Sequence, residues 1–247
     1  MKKLFLTGAS GFIGRNFHKR FADKYDITPY DLQEGEDILD LSSVDPFNYD
    51  IVIHLAAKAG VRRSHEIPNE YWQANVEGSK RIFHEFDLSW KNVPLIYASS
   101  SSIYEWWLSP YATTKKVVEE LAPKYSLGLR FHTVYGEDSR PDMLYDMLKN
   151  KNASYLTRHT RDWTHVNDVC DAIDVCIERF DEINLNNKAI DIGNGEPVSV
   201  VDMANKVWPN NRLPIKEVVG ERETTCAEPD ILLEYGWKPK HHILEDL

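Results

Sequence analysis

Apolar positions along the chain fall into two alternating rhythms. Short runs of aliphatic and aromatic residues at 3–7, 26–30, 51–55, 93–98 and 128–133 read as strands. Between them, helical spacing covers 12–24, 69–88 and 111–122. Strand–helix–strand repetition with both faces of the strands covered is the signature of a parallel sheet flanked by helices, a doubly wound α/β fold of Rossmann type. After Gly136 the rhythm turns irregular, with a helix at 142–149, a strand at 154–157, a helix capped by Asp168 and a strand at 189–192. The stretch that follows is rich in proline and charge. The change predicts a small C-terminal substrate-binding lobe threaded back into the first domain. On this pattern residues 1–135, rejoined by 164–192, form the large domain, and 136–163 with 193–247 form the lobe. No internal repeat or low-complexity tract interrupts the pattern.

Composition narrows the function classes. With 42% hydrophobic residues in 247, the chain has material for a sizeable core and is not a disordered segment. The 29 Lys and Arg against 39 Asp and Glu leave a net charge of −10, which argues against a nucleic-acid partner. An anionic small molecule needs only a local cluster of cations. Cys170, Cys176 and Cys226 are too few for a disulfide scaffold and lack CxxC spacing, so no metal is expected. No stretch approaches the roughly 18 apolar residues of a membrane span, and the run Leu4-Phe5-Leu6 is short for a signal peptide. A cytoplasmic location without a membrane partner is the expectation.

The first strand runs into Thr7-Gly8-Ala9-Ser10-Gly11-Phe12-Ile13-Gly14, a GxxGxxG turn that opens a helix. Glycines there let the backbone turn sharply, and Gly8, Gly11 and Gly14 let a pyrophosphate approach the helix N-terminus, where the dipole favours negative charge. Asp31 ends the second strand, 23 residues after Gly8, where a carboxylate accepts a ribose 2′-hydroxyl and repels a 2′-phosphate. The pair predicts NAD rather than NADP. Arg15 pulls the other way and is read as a solvated helix arginine.

Tyr111 and Lys115 stand four apart on one helical face. A lysine ammonium one turn away, together with a positive nicotinamide, favours the phenolate of a tyrosine that would otherwise be a poor base at neutral pH. The preceding strand ends in Ala98-Ser99-Ser100-Ser101-Ser102, at the carboxyl edge where such sheets bind ligands. A serine hydroxyl there suits a substrate oxygen beside the tyrosine.

With these residues quoted, the chain resembles the extended short-chain dehydrogenases/reductases, the family of nucleotide-sugar epimerases and dehydratases. The resemblance also rests on Asp37-Ile38, His54-Leu55-Ala56-Ala57, Asn75-Val76-Glu77-Gly78, the segments 99–104, 129–136 and 161–168, and Gly193-Asn194-Gly195. It implies a tightly held NAD lined by Phe12, Ile13, Asp37, Ile38, Leu55, Ala56, Ala57 and Asn75. It further implies Ser100 as the catalytic hydroxyl, Tyr111 as base with Lys115 as its partner, Ser101 beside the substrate, and a homodimer formed through helices near 69–88 and 111–122. Dehydratases of this kind carry Asp-Glu after the catalytic Thr, where this chain has Ser101-Ser102, and decarboxylases usually carry Glu at the Ser102 position. The segments from Leu129 to Met143 and from Ala59 to Ser64 resemble UDP-glucuronate 4-epimerases.

That resemblance implies C4 epimerisation of UDP-glucuronate to UDP-galacturonate through a 4-keto intermediate. Such an intermediate is a β-keto acid, so its carboxylate must be held against loss of carbon dioxide. Arg140, a bidentate donor, and Thr133 suit that task. Arg161 matches the arginine that meets the diphosphate, Arg62 is a further candidate, and Arg222 is displaced from the usual basic position before the pair Gly220-Glu221. The rival readings are a neutral-sugar epimerase, decarboxylase or reductase of the same family, and a non-catalytic NAD-binding protein. Two connections are short: five residues between Asp31 and Asp37, and six between Tyr104 and Tyr111. Six residues still span about 20 Å, enough for Ser100 and Tyr111 to meet, under a roof left open or made by Trp106 and Trp107.

Overall fold

The computed structural model describes residues 1–87 and 93–245. Strands β1 (Lys3–Thr7), β2 (Asp26–Tyr30), β3 (Ile51–His54), β4 (Leu95–Ser100) and β5 (Ser126–Phe131) are joined later by β8 (Ala189–Ile192) in a six-stranded parallel sheet of order β2-β1-β3-β4-β5-β8. The inner strands are buried on both faces, which is why they read as continuous apolar runs. β2 is the edge, and it carries Pro29, a residue that cannot donate to a further strand. Residues 31–50 hold only two short 3₁₀ turns, Leu32–Glu34 and Pro46–Asn48, so no strand extends the sheet beyond β2. The chain leaves β1 to one side for β2 and to the other for β3, and the crevice between those carboxyl ends is the ligand-binding position of a doubly wound sheet.

A second, mixed sheet combines β6 (Thr133–Tyr135), β7 (Thr160–His165) and β9 (Pro197–Ser199), with β6 parallel and β9 antiparallel to β7. The apolar pattern predicts one strand over 128–133. Instead β5 ends at Phe131 and β6 starts at Thr133, leaving His132 as the residue at which the chain changes sheets. The helix Val166–Glu178 then returns to the large sheet and packs beside the helix Phe12–Phe21, clamped by Arg20 to Asp171 and Lys24 to Asp174. Phe17, Ile173 and Ile177 fill one face of the sheet, Ile82, Phe83 and Val118 the other, and Tyr145, Trp163 and Met203 the core of the small sheet.

Other expectations shift locally. The first helix ends at Phe21 rather than 24. The pattern at 69–88 resolves into Pro68–Tyr71, a π-helical turn Trp72–Glu77 and Gly78–Asp87, while Leu88 lies outside the described residues. The expected strand at 154–157 is a single bridge from Leu156 to Ile215. His165, not Asp168, caps the helix Val166–Glu178. Asp168 is buried in its first turn and accepts the backbone N–H groups of Lys240 and His241, tying down the C-terminal segment. No helix among the described residues is long and apolar enough to cross a membrane.

Candidate active site

The glycine turn is closed by its own backbone. A Cβ at Gly14 would lie 2.1 Å from the Gly8 carbonyl oxygen, and one at Gly8 would meet the Ala56 nitrogen at 2.6 Å on a backbone of φ +72°. The turn therefore packs against the end of β3 only because both positions lack side chains. Gly11 caps the following helix without a side-chain hydrogen bond, which leaves the helix N-terminus to an anionic ligand. Asp31 anchors the turn from below: Oδ2 accepts the Ser10 N–H at 2.9 Å and Oδ1 the Gln33 N–H at 2.9 Å. Arg15 does not stand free in solvent, since it donates to the Asp138 carbonyl and ties the glycine helix to the loop after β6.

Above the turn opens a cavity of about 730 Å³. Gly8, Gly11, Phe12, Ile13, Gly14, Leu55 and Ala57 line one end, and Arg62, Ser100, Tyr111, Lys115, Thr133 and Arg140 line the rest. A smaller recess of about 160 Å³ adjoins it, sharing Ser100, Thr133 and Glu221 and adding Ser101, Arg161 and Arg222. Asp31, Asp37, Ile38, Ala56 and Asn75 line neither. Ile38 instead packs against Gly78, and Asp37 accepts the Leu39 N–H. Asn75 is fully engaged: its carbonyl accepts the Lys58 N–H at 2.7 Å, and its amide donates to the Lys58 carbonyl and to Thr114 Oγ1, both at 3.0 Å. It fixes the loop after β3 to the helix Pro110–Leu121 that carries Tyr111 and Lys115. Trp106 and Trp107 are exposed and roof neither space.

Ser100 ends β4 and lines the same cavity as Tyr111 despite the short connection, because 101–108 winds into a 3₁₀ segment and Ser109 caps the next helix. Burial pushes the Tyr111 phenol up, with Ser100 and the Arg140 charge pulling it back. Desolvation thus outweighs the lowering expected from sequence. Lys115, one turn on, donates to the Ala98 carbonyl at 2.9 Å, and burial draws its ammonium down to about 8. Behind it, burial and then Lys115 hold His54 neutral, near 3, between Thr7 Oγ1 at 2.7 Å and Ser79 Oγ at 2.9 Å.

The cationic side carries a carboxylate, Glu221, that nothing in the local sequence marks beyond the adjacent Gly220. Glu221 Oε1 takes Arg62 Nε at 2.7 Å, while Oε2 takes Arg161 Nη2 at 3.2 Å and lies 3.4 Å from His159 Nδ1. Arg62 also donates to the Tyr155 hydroxyl at 2.7 Å. Arg222 lies over the Tyr104 ring and donates to the Ser101 carbonyl at 3.2 Å. Arg140 lines the large cavity but spends Nε on Asp142 at 3.0 Å. Trp163 is core, donating to the Val198 carbonyl, and His165 stacks on His241. Among the described residues no group of three or more His, Cys, Asp or Glu side chains is arranged to hold a metal ion.

The family model described as NAD dependent epimerase/dehydratase matches residues 4–193, a span from the first strand of the large sheet to the turn after β8. The chain belongs to that family. NAD is the cofactor of this epimerase/dehydratase, and the side-chain-free glycine turn, with a helix N-terminus that no side chain caps, fits it. Its reactions are modifications of nucleotide sugars. A UDP-glucuronate 4-epimerase of Arabidopsis thaliana is 29% identical over 80% of this chain and 62% of its own length. A probable UDP-glucuronate 4-epimerase of Rhizobium meliloti is 27% identical over 97% of this chain and 93% of its length. The UDP-glucuronic acid 4-epimerase of Bacillus cereus, solved with UDP-4-deoxy-4-fluoro-glucuronic acid and NAD, superposes with a TM-score of 0.82 at 25% identity. That superposition covers 98% of this chain and 96% of the other.

Proposed function

We propose that the protein is a UDP-glucuronate 4-epimerase. The observation that carries the reading is that one cavity joins Ser100, Tyr111 and Lys115 to Thr133 and Arg140, with Ser101 and Ser102 where elimination would need acids. The large sheet is assigned the NAD, and the lobe of 136–163 with 193–247 the UDP, its diphosphate drawn by Arg62 and Arg161. NAD, held on the glycine turn, supplies the acceptor and donor of hydride. Tyr111 would take the proton of the sugar C4 hydroxyl on oxidation to the 4-ketone and would return it on reduction at the other face. Ser100 holds the C4 oxygen. The Lys115 charge, one turn from Tyr111, supports the phenolate against the burial that disfavours it. Thr133 and Arg140 hold the sugar carboxylate so that its bond to C5 stays out of line with the ketone.

Incubation with UDP-glucuronate is expected to yield UDP-galacturonate with no net consumption of NAD. UDP-pentose as the sole product would move the assignment to a decarboxylase. The pairing of Arg140 with Asp142 favours one rival, a neutral-sugar epimerase in which this arginine has no substrate role. Arg140→Ala with intact turnover of UDP-glucose would establish that rival.

The reading brings with it a homodimer. Trp72, Trp107 and Leu121 stand exposed on and beside the helices expected to pair, and light scattering of the purified protein tests whether they do. It also brings a cytoplasmic address, in keeping with the free buried thiols Cys170 and Cys176.

A further inference from the structure

The cations that line the large cavity and its recess are nearly all spent on partners within the protein. Arg62 and Arg161 meet on Glu221, Arg140 is paired with Asp142, and Lys115 donates to the Ala98 carbonyl. Arg63 is different. It lines the large cavity from the short helix Val61–Glu66 and is exposed, and among the described residues it has no ion pair and no side-chain hydrogen bond. Glu70, an acid nearby in the chain, is held by Lys58 instead. Tyr71 shows which end of the cavity Arg63 serves. Its ring meets that of Tyr111 edge-on with centroids 6.2 Å apart, and its hydroxyl donates to the Ala59 carbonyl at 2.9 Å. Burial pushes the Tyr71 phenol up, Arg140 and Arg63 pull it back, and Asp142 opposes them. Arg63, Arg140 and Asp142 thus gather their charges about one hydroxyl beside Tyr111.

We propose that Arg63 is a further specificity-determining residue that, together with Arg140, grips the carboxylate of the sugar. Arg140 and Asp142 cancel each other, so a uronate that met this pair alone would find no net attraction and would have to displace Asp142. With Arg63 the group carries one positive charge, which one carboxylate neutralises. Arg63 is reachable without breaking an ion pair, and its guanidinium offers two parallel N–H donors to a carboxylate. The same balance bears on the rival reading, in which the Arg140–Asp142 pair leaves a neutral sugar as substrate. Both arginines stand in contact with water, which holds the gain to that of a solvated ion pair.

The proposal rests on the reading of the cavity as a uronate site, and the test separates the two. UDP-glucuronate, UDP-glucose and UDP are titrated by calorimetry into the NAD-loaded wild type, Arg63→Gln and Arg63→Lys. Arg63 is exposed, so neither substitution disturbs the core. Arg63→Gln is expected to bind UDP-glucuronate about fivefold more weakly while binding UDP and UDP-glucose within about twofold of wild type. Arg63→Lys keeps the charge and gives up the paired donors, so its loss should be smaller. A wild-type ratio of UDP-glucuronate to UDP affinity in Arg63→Gln would overturn the proposal. So would an equal loss for all three ligands, which would put Arg63 on the diphosphate. Loss of bound NAD from Arg63→Gln on gel filtration would overturn it too, by putting Arg63 on the cofactor. If wild type makes UDP-galacturonate while the ratio is unmoved, only the role of Arg63 falls. If wild type neither prefers UDP-glucuronate to UDP-glucose nor epimerises it, the functional reading falls and the role of Arg63 with it.

Discussion

At the glycine turn, function is built from backbone: Gly8 and Gly14 leave no room for a Cβ, and Asp31 reaches the turn through a main-chain N–H. Across the cavity it is built from side chains drawn from distant segments, with Arg62, Arg161 and His159 gathered on Glu221. The backbone side is rigid and tolerates almost nothing. The side-chain side is a balance of opposite charges centred on one carboxylate. Damage to the first should therefore cost the fold and the cofactor together, while damage to the second should shift affinity and turnover with the fold intact.

The sharpest separation is expected from Tyr111→Phe. It should cut epimerisation by roughly 10²–10⁴-fold while NAD stays bound, since only a proton carrier is lost. Wild-type turnover in that variant would break the assignment and favour a non-catalytic NAD protein. Lys115 connects the two sides and predicts a pH effect. Its folded value near 8 lies below its ordinary 10.5, so between those values the unfolded chain keeps a proton that the folded one has lost, and stability rises with pH. The stability of wild type relative to Lys115→Met should improve by up to about 3 kcal/mol across that window, read from urea melts. A flat difference would contradict the burial argument.

Gly14→Ala should destabilise by about 1–3 kcal/mol and release NAD, because the added carbon meets a carbonyl that cannot move without opening the turn. An unchanged melting temperature with bound NAD would show the turn to be softer than its contacts. The smallest effect is expected on the opposite wall. Glu221→Gln frees Arg62 and Arg161 from a competing carboxylate, so UDP should bind a few-fold tighter, an effect that fades as salt rises. Weaker UDP binding would instead make Glu221 a contact of the nucleotide.

The same contrast governs what could be read from sequence. β1, β3, β4 and β5 are buried on both faces, so their apolar runs announce them. The Gly8–Gly14 spacing and the Tyr111–Lys115 pair lie within single turns. β7 escaped because Thr160–His165 is polar in composition. Its Asp162 is buried only because it accepts the backbone N–H groups of Asn194, Gly195 and Ala227, tens of residues away. Glu221 lies 159 residues from Arg62, and nothing near either in the chain signals their meeting. Asn75 was legible as a position, but its bonds were not: its amide joins Lys58 to Thr114 across segments 17 and 39 residues away in the chain. His132 was hidden inside a run that looked like one uninterrupted strand.

That run passes from one sheet to the other across a single residue. Any tilt of the small sheet against the large one is transmitted through the peptide units on either side of His132, within the wall of the cavity. The chain has no spare residue there to separate the placement of the small sheet from the shape of the cavity wall.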